Sequence, residues 1–276
     1  KLTAPPTLPT ERDTWNPCIA WNPSDALLIG GSTTNTLNLW CTNTWTCIWI
    51  VGEVVDKYLY TRCVVWIGPE RFAVGYSDGT ICIWETRTQT CISKLTSHTK
   101  EEAVETVETV GAVETVGAVE TVGAVRAVVL AWNSNYALLA SGTNECQIKI
   151  WDTQTWQCKA TLTGHTDELY GFAWNPSQTL LASGSYDKTI KIWIGCSWTC
   201  AVTLRYASRI TSIAWNPHGT LLASGSSDYT ICIWDVQTWT SKKVLVGYSA
   251  WSSSISWSRT GMLACGYDNG LVQIWK

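Results

Sequence analysis

Short runs in which apolar and polar residues alternate recur along the whole chain, and one of them returns six times. It reads LNLW to Trp40, ICIW to Trp84, IKIW to Trp151 and again to Trp193, ICIW to Trp234 and VQIW to Trp275. A period of two ending on an aromatic predicts a strand with one buried face. Upstream of each copy a second apolar run ends in Trp and a turn: AWNP at Trp21, VVWIGP at Trp66, AWNS at Trp132, AWNP at Trp174 and Trp215, SWSRTG at Trp257. Asn-Pro and Ser/Gly supply the turn chemistry there. Between the two lies a third run, LLIGGS, FAVGYS, LLASGT, LLASGS, LLASGS and MLACGY. Helical solenoids would need apolar stripes at 3.6-residue spacing, and none is present.

The marker tryptophans stand 44, 67, 42, 41 and 41 residues apart, which is the period of a propeller blade. With three signatures in phase, the chain resembles the WD-repeat family over nearly its whole length. The resemblance implies an all-β fold: one six-bladed WD-repeat β-propeller over residues 1–276, with four-stranded antiparallel blades. The last repeat reaches Lys276 with its third strand, so its outer position is open. The family's usual closure would place residues 1–4 there, with Pro5, Pro6 and Pro9 tolerated because an outermost strand needs few backbone donors. The alternatives are a longer chain, since seven blades are commoner in the family, or closure with another subunit.

The long spacing has about 25 residues too many for one repeat and too few for an extra blade. They form a low-complexity insertion over 97–127, EEAVETVETVGAVETVGAVETVGAV from Glu101, with Val at every third position. A period of three gives neither helix nor strand a stable apolar side. Six Glu make it acidic, and the expectation is a flexible loop on the face opposite the tryptophan turns described below.

In the family a His between blades, a second-strand Ser or Thr, an Asp in the next turn and the third-strand Trp form a hydrogen-bonded line. The fourth repeat matches throughout, with His165, Ser183, Asp187 and Trp193. The fifth has Ser224, Asp228 and Trp234 but Tyr206 in place of His; the third has His98 and Ser141 but Glu145 for Asp. With those neighbours His165 reads as structural and not as a catalytic base. No phosphate-cradling loop or nucleophile elbow is present, and the SGS stretches are regular repeat positions. The reading is therefore a protein with no catalytic residue, no cofactor and no metal.

Twelve cysteines would ordinarily suggest disulfides or zinc. Cys47, Cys91, Cys158 and Cys200 each fall seven residues after a marker Trp, on successive outer strands, while Cys82 and Cys232 share a third-strand position. Equivalent points on neighbouring blades diverge beyond disulfide reach, so reduced, strand-filling thiols are expected. Cys196 and Cys200 lack a second pair for zinc.

Composition adds a tension. Only 15% of residues are charged while Trp numbers 19, which points to heavy aromatic packing or to a surface meant to be covered. Twelve of the tryptophans are the two strand markers. Trp45, Trp156, Trp198 and Trp239 instead lie five residues after a marker, in the turn toward the outer strand, and Gln89 interrupts the series. They either stack on neighbouring blades or form an aromatic contact surface for protein or glycan. Net charge of -3 gives no general attraction for nucleic acid or anionic membrane. No apolar run approaches the roughly 20 residues of a membrane span. The opening KLTAPPTLPT lacks the apolar core of a signal peptide, and no Asn-x-Ser/Thr acceptor occurs, so an intracellular, cytoplasmic protein is expected. The leading functional expectation is a non-enzymatic protein–protein interaction scaffold binding protein or peptide partners. The alternatives are a structural subunit of a repeating assembly or filament, self-associating as a homo-oligomer, and a glycan-binding propeller.

Overall fold

The structure is a computed structural model, and it describes residues 18–31, 37–51, 61–96 and 129–276. The proposed N-terminal closing strand, His98 and the insertion over 97–127 lie outside the described residues. All regular structure among the described residues is strand, so no helix there is long and apolar enough to cross a membrane.

The strands form six antiparallel sheets arranged as the blades of a propeller. Blade one is β1 (Ile19–Trp21), β2 (Leu27–Gly31), β3 (Leu37–Cys41) and β4 (Thr46–Val51). Blade two is β5 (Thr61–Trp66), β6 (Arg71–Tyr76), β7 (Ile81–Glu85) and β8 (Thr90–Leu95). Blade three is β9 (Val129–Asn133), β10 (Leu138–Gly142), β11 (Ile148–Asp152) and β12 (Cys158–Leu162). Blade four is β13 (Leu169–Trp174), β14 (Leu180–Ser185), β15 (Thr189–Ile194) and β16 (Cys200–Arg205). Blade five is β17 (Ile210–Trp215), β18 (Leu221–Ser226), β19 (Thr230–Asp235) and β20 (Thr240–Val246). Blade six has three strands among the described residues, β21 (Ser252–Trp257), β22 (Leu263–Tyr267) and β23 (Val272–Trp275).

Register is uniform because each run has a fixed task. Every marker Trp pairs with the same second-strand position: Trp84 with Phe72, Trp193 with Leu181, Trp234 with Leu222, Trp275 with Leu263. The second strands lie between covered faces, which is why the small residues of LLASGS fit them, and β10 is buried throughout. Where β3, β7, β11, β15 and β19 meet their outer strands, the register shifts at the marker Trp. This bulge follows a tight turn whose last residue is left-handed: Trp45 (φ 55), Gln89 (φ 56), Trp156, Trp198 and Trp239 (each φ 57). A turn of that kind followed by a bulge is a standard way to reverse a strand, normally with glycine at the left-handed position.

The core lies between blades. Five apolar clusters join blade one to two, two to three, three to four, four to five and five to six. A backbone staple accompanies four of these junctions. The first-strand Trp indole N–H donates to the first-strand carbonyl of the preceding blade: Trp66 to Ala20 (2.9 Å), Trp174 to Ala131 (3.3 Å), Trp215 to Ala173 (3.0 Å) and Trp257 to Ala214 (3.3 Å).

Candidate functional site

The junction between blade six and blade one differs from the other five. Third-strand apolar pairs face the next blade, and in blades one to five they are at most 6% exposed, from Leu37 and Leu39 to Ile231 and Ile233. Val272 and Ile274 of β23 hold the same position and are 64% and 62% exposed. Across the seam, Ile19 is 66% and Trp21 48% exposed, whereas Trp66 at the Trp21 position of blade two is 3%. Among the described residues, both flanks of one repeated interface are therefore uncovered. Beside β23, a groove of about 430 Å³ runs between blades five and six, with Leu245, Trp257 and Trp275 in its walls and Lys242, Lys243 and Lys276 lining it.

Each of the four turn tryptophans follows the third strand of its blade, and three of them pair with the first-strand tryptophan of the same blade. Trp45 meets Trp21 edge to face at 6.0 Å, Trp198 meets Trp174 at 6.3 Å and Trp239 meets Trp215 at 6.1 Å. Trp156 packs on the cluster shared by Trp132 and Trp151. Trp156, Trp198 and Trp239 are half-buried, while Trp45, beside the exposed Trp21, is exposed. Edge-to-face pairs contribute roughly 0.5–1.5 kcal/mol beyond area burial, which helps offset the strain of a bulky left-handed residue.

His165, Ser183, Asp187 and Trp193 form one line. Trp193 Nε1–H donates to Ser183 Oγ (2.8 Å), Ser183 Oγ lies 2.8 Å from His165 Nε2, and His165 Nδ1 lies 2.8 Å from Asp187 Oδ2. A neutral imidazole protonated on Nδ1 satisfies all three, with the serine hydroxyl donating to Nε2. Burial holds the His165 pKa below its ordinary value against the opposing pull of Asp187. Burial also pushes Asp187 up, but the Thr189 hydroxyl, the His165 ring and the Thr166 N–H outweigh it and hold the carboxyl below its usual value. A Ser–His–Asp line at these distances has the connectivity of a hydrolytic triad. Here Ser183 is fully buried and its oxygen already accepts from Trp193, so no substrate carbonyl can reach it.

The other blades vary the line. In blade five the Tyr206 ring meets Trp234 edge to face at 6.2 Å and its hydroxyl reaches Thr230 at 2.6 Å, while Trp234 still donates to Ser224. In blade three Trp151 donates to Ser141 at 2.7 Å. In blade two Val74 stands at the serine position, so Trp84 has no serine acceptor. All twelve cysteines are free thiols, and among the described residues no three His, Cys, Asp or Glu side chains converge as metal ligands.

Two features passed unread in the sequence. The Ala-Trp dipeptide of the first strands encodes the staple between blades, and its recurrence was its only signal. The uncovered flanks had none, because VQIW is as apolar as its buried counterparts.

Fold and interior together define a six-bladed propeller whose blades are locked by buried tryptophan hydrogen bonds. Its chain matches the family model of the WD domain, G-beta repeat, over residues 120–152, 156–193 and 198–235, which carry the marker tryptophans of blades three, four and five. Three of its six blades thus carry WD repeats, and the whole is a six-bladed β-propeller. It is similar to a chain in the crystal structure of a mitotic checkpoint complex, with TM-score 0.77 and 21% identity over 94% of this chain and 73% of that one. At that identity the likeness is one of fold, and 1788 solved chains match in all, so it selects no particular activity. No curated protein matches the sequence. Propellers of this family are generally protein-interaction scaffolds and generally not catalytic.

Proposed function

We propose that the protein is a non-enzymatic interaction scaffold whose protein partner covers blade six with an extended segment. The contrast between Val272 and Ile274 and their five buried counterparts supports this reading. Burying a Val or Ile side chain fully is worth roughly 1.5–3 kcal/mol. Among the described residues β23 has a neighbour on one side only, so its other edge offers backbone groups to an added strand. The adjoining groove accommodates apolar side chains of that strand, and its three lysines favour carboxylates. Affinity purification of the wild type against a Val272→Lys/Ile274→Lys variant tests it. The variant loses the wild type's partners while its melting temperature holds. Equal recovery, or slow hydrogen exchange in the free protein at the β23 amides that face away from β22, overturns the proposal.

A second reading, self-assembly into a repeating structure, is favoured by the complementarity of the two flanks. Ile19 and Trp21 on one side and Val272 and Ile274 on the other are the two halves of an interface the chain forms five times internally. Blade six of one copy meeting blade one of the next gives a head-to-tail contact. Sedimentation across concentration separates the readings: a strict monomer at high concentration removes the second. The glycan reading has no comparable support, since three of the four turn tryptophans are half-buried in their own blades.

A further inference from the structure

We propose that Cys82 and Cys91 are a dithiol site that peroxides oxidise to a disulfide within blade two. Cys82 is buried on β7 and Cys91 is exposed on β8. Around them Ile83 pairs with Ser93 and Trp84 with Cys91, so Ile92 is the extra residue of the bulge. The bulge draws the two positions together, and blade five supplies the measure. There Cys232 and Ser241 occupy the equivalent sites, and Cys232 Sγ lies 3.1 Å from Ser241 Oγ. The bulge thiol has the same setting in other blades, with Cys91, Cys158 and Cys200 each donating to the carbonyl two residues on, at 3.2, 3.5 and 3.3 Å. What differs is the facing residue: Asn38 opposes Cys47, Lys149 opposes Cys158 and Lys191 opposes Cys200, whereas blade two alone has cysteine at both positions.

The surroundings divide the labour. The neighbouring Cys82 thiol, with the Ser93 and Ile83 backbone and Lys94, lowers Cys91 to about 6. The same interaction, followed by burial, raises Cys82, and Asp78 adds to this. Tyr76, itself raised by burial, also faces Cys82. Exposed Cys91 is thus the attacking thiolate and Cys82 the resolving thiol. Cys91 sulfur attacks one peroxide oxygen, the O–O bond breaks, and the leaving oxygen takes a proton from water. The Cys82 sulfur then attacks the Cys91 sulfenic acid, the S–O bond breaks, and the hydroxyl leaves as water with the Cys82 proton. Two electrons pass from the thiols to the peroxide, and hydrogen peroxide ends as two waters.

The test treats the protein with hydrogen peroxide, alkylates the remaining thiols and digests with trypsin. Arg87 lies between the two cysteines, so the disulfide appears as two peptides joined. The expected result is that joined species, with Cys158 and Cys200 still alkylated. Cys82 recovered alkylated while Cys91 carries sulfinic acid, or Cys91 joined to another molecule, overturns the proposal. Iodoacetamide at pH 6 gives a second readout: Cys91 reacts about tenfold faster in the wild type than in Cys82→Ala, the thiolate gain being partly offset by lower nucleophilicity. Equal rates overturn the assignment of Cys91 as the attacking thiol.

Discussion

A methyl group placed on Gly184 of β14 would lie 2.5 Å from Cγ2 of Ile210 on β17 and 2.8 Å from Cδ1 of Ile213. The glycine of LLASGS is thus a point of closest approach between blades four and five, and its value is missing volume and not left-handed backbone. Gly184→Ala is expected to destabilise by about 1–3 kcal/mol through overpacking. Gly266 holds the same position in blade six, where the near atoms are the hydroxyls of Ser254 at 2.9 Å and Ser253 at 3.7 Å, both in its own blade. Gly266→Ala should stay within about 0.5 kcal/mol of the wild type. Urea unfolding of both variants checks the pair, and equal costs would show that blade six is covered in solution.

The tryptophan staples give a parallel comparison. Trp66→Phe removes the bond to Ala20 and buried ring volume, for an expected loss of about 1–3 kcal/mol. Trp21, at the same position in blade one but half exposed, should tolerate Phe at a cost under about 1 kcal/mol. Thermal unfolding followed by near-ultraviolet circular dichroism reads both, and a larger loss at Trp21 would contradict the uncovered seam.

The repeat pattern made the strands, their order within a blade and the blade number legible, because period-two alternation and turn residues act locally. The line through His165 was legible at the level of residue types for the same reason, since each member keeps a fixed offset from Trp193. Two kinds of feature were not. Coverage of Val272 and Ile274 depends on which blade comes next, a long-range fact that their own residues do not encode. The Cys82–Cys91 approach depends on a bulge that shifts register by one residue, so comparing cysteines only between blades, where they diverge, overlooked a pair within one.

Ser183 serves Trp193 and His165 at once, so its loss strands two buried polar groups of the line. Ser183→Ala leaves the Trp193 indole and His165 without that hydroxyl, at an expected cost of about 2–4 kcal/mol, on a scale of about 1–3 for each buried polar group stranded. Ser141→Ala in blade three removes the acceptor of Trp151 and should cost at least about 1 kcal/mol. Denaturant midpoints at constant m-value compare them. A Ser183→Ala protein as stable as the wild type would mean that the line contributes nothing to the fold.

The same line fixes the direction of the pH dependence. Burial lowers the folded-state pKa of His165 from 6.5, so below about pH 6.5 the unfolded chain takes up a proton that the folded chain resists. The unfolded state then binds more protons, and stability falls as pH drops from 6.5 toward the folded value. Asp187 acts lower on the scale: its folded pKa lies below 3.8, so its contribution is complete above about pH 4 and is lost as pH falls through the folded value. Denaturation midpoints should therefore decline between pH 7 and pH 5 before any carboxylate titrates, with a second decline below about pH 4. Tyr206 already fills the equivalent site in blade five, edge to face with Trp234, so His165→Tyr is compatible with the blade geometry. That variant should show a smaller decline from pH 7 to pH 5 and lose the coupling between His165 and Asp187. Wild-type stability that rises toward pH 5 would mean that the Asp187 carboxylate holds an imidazolium, reversing the sign argued from burial.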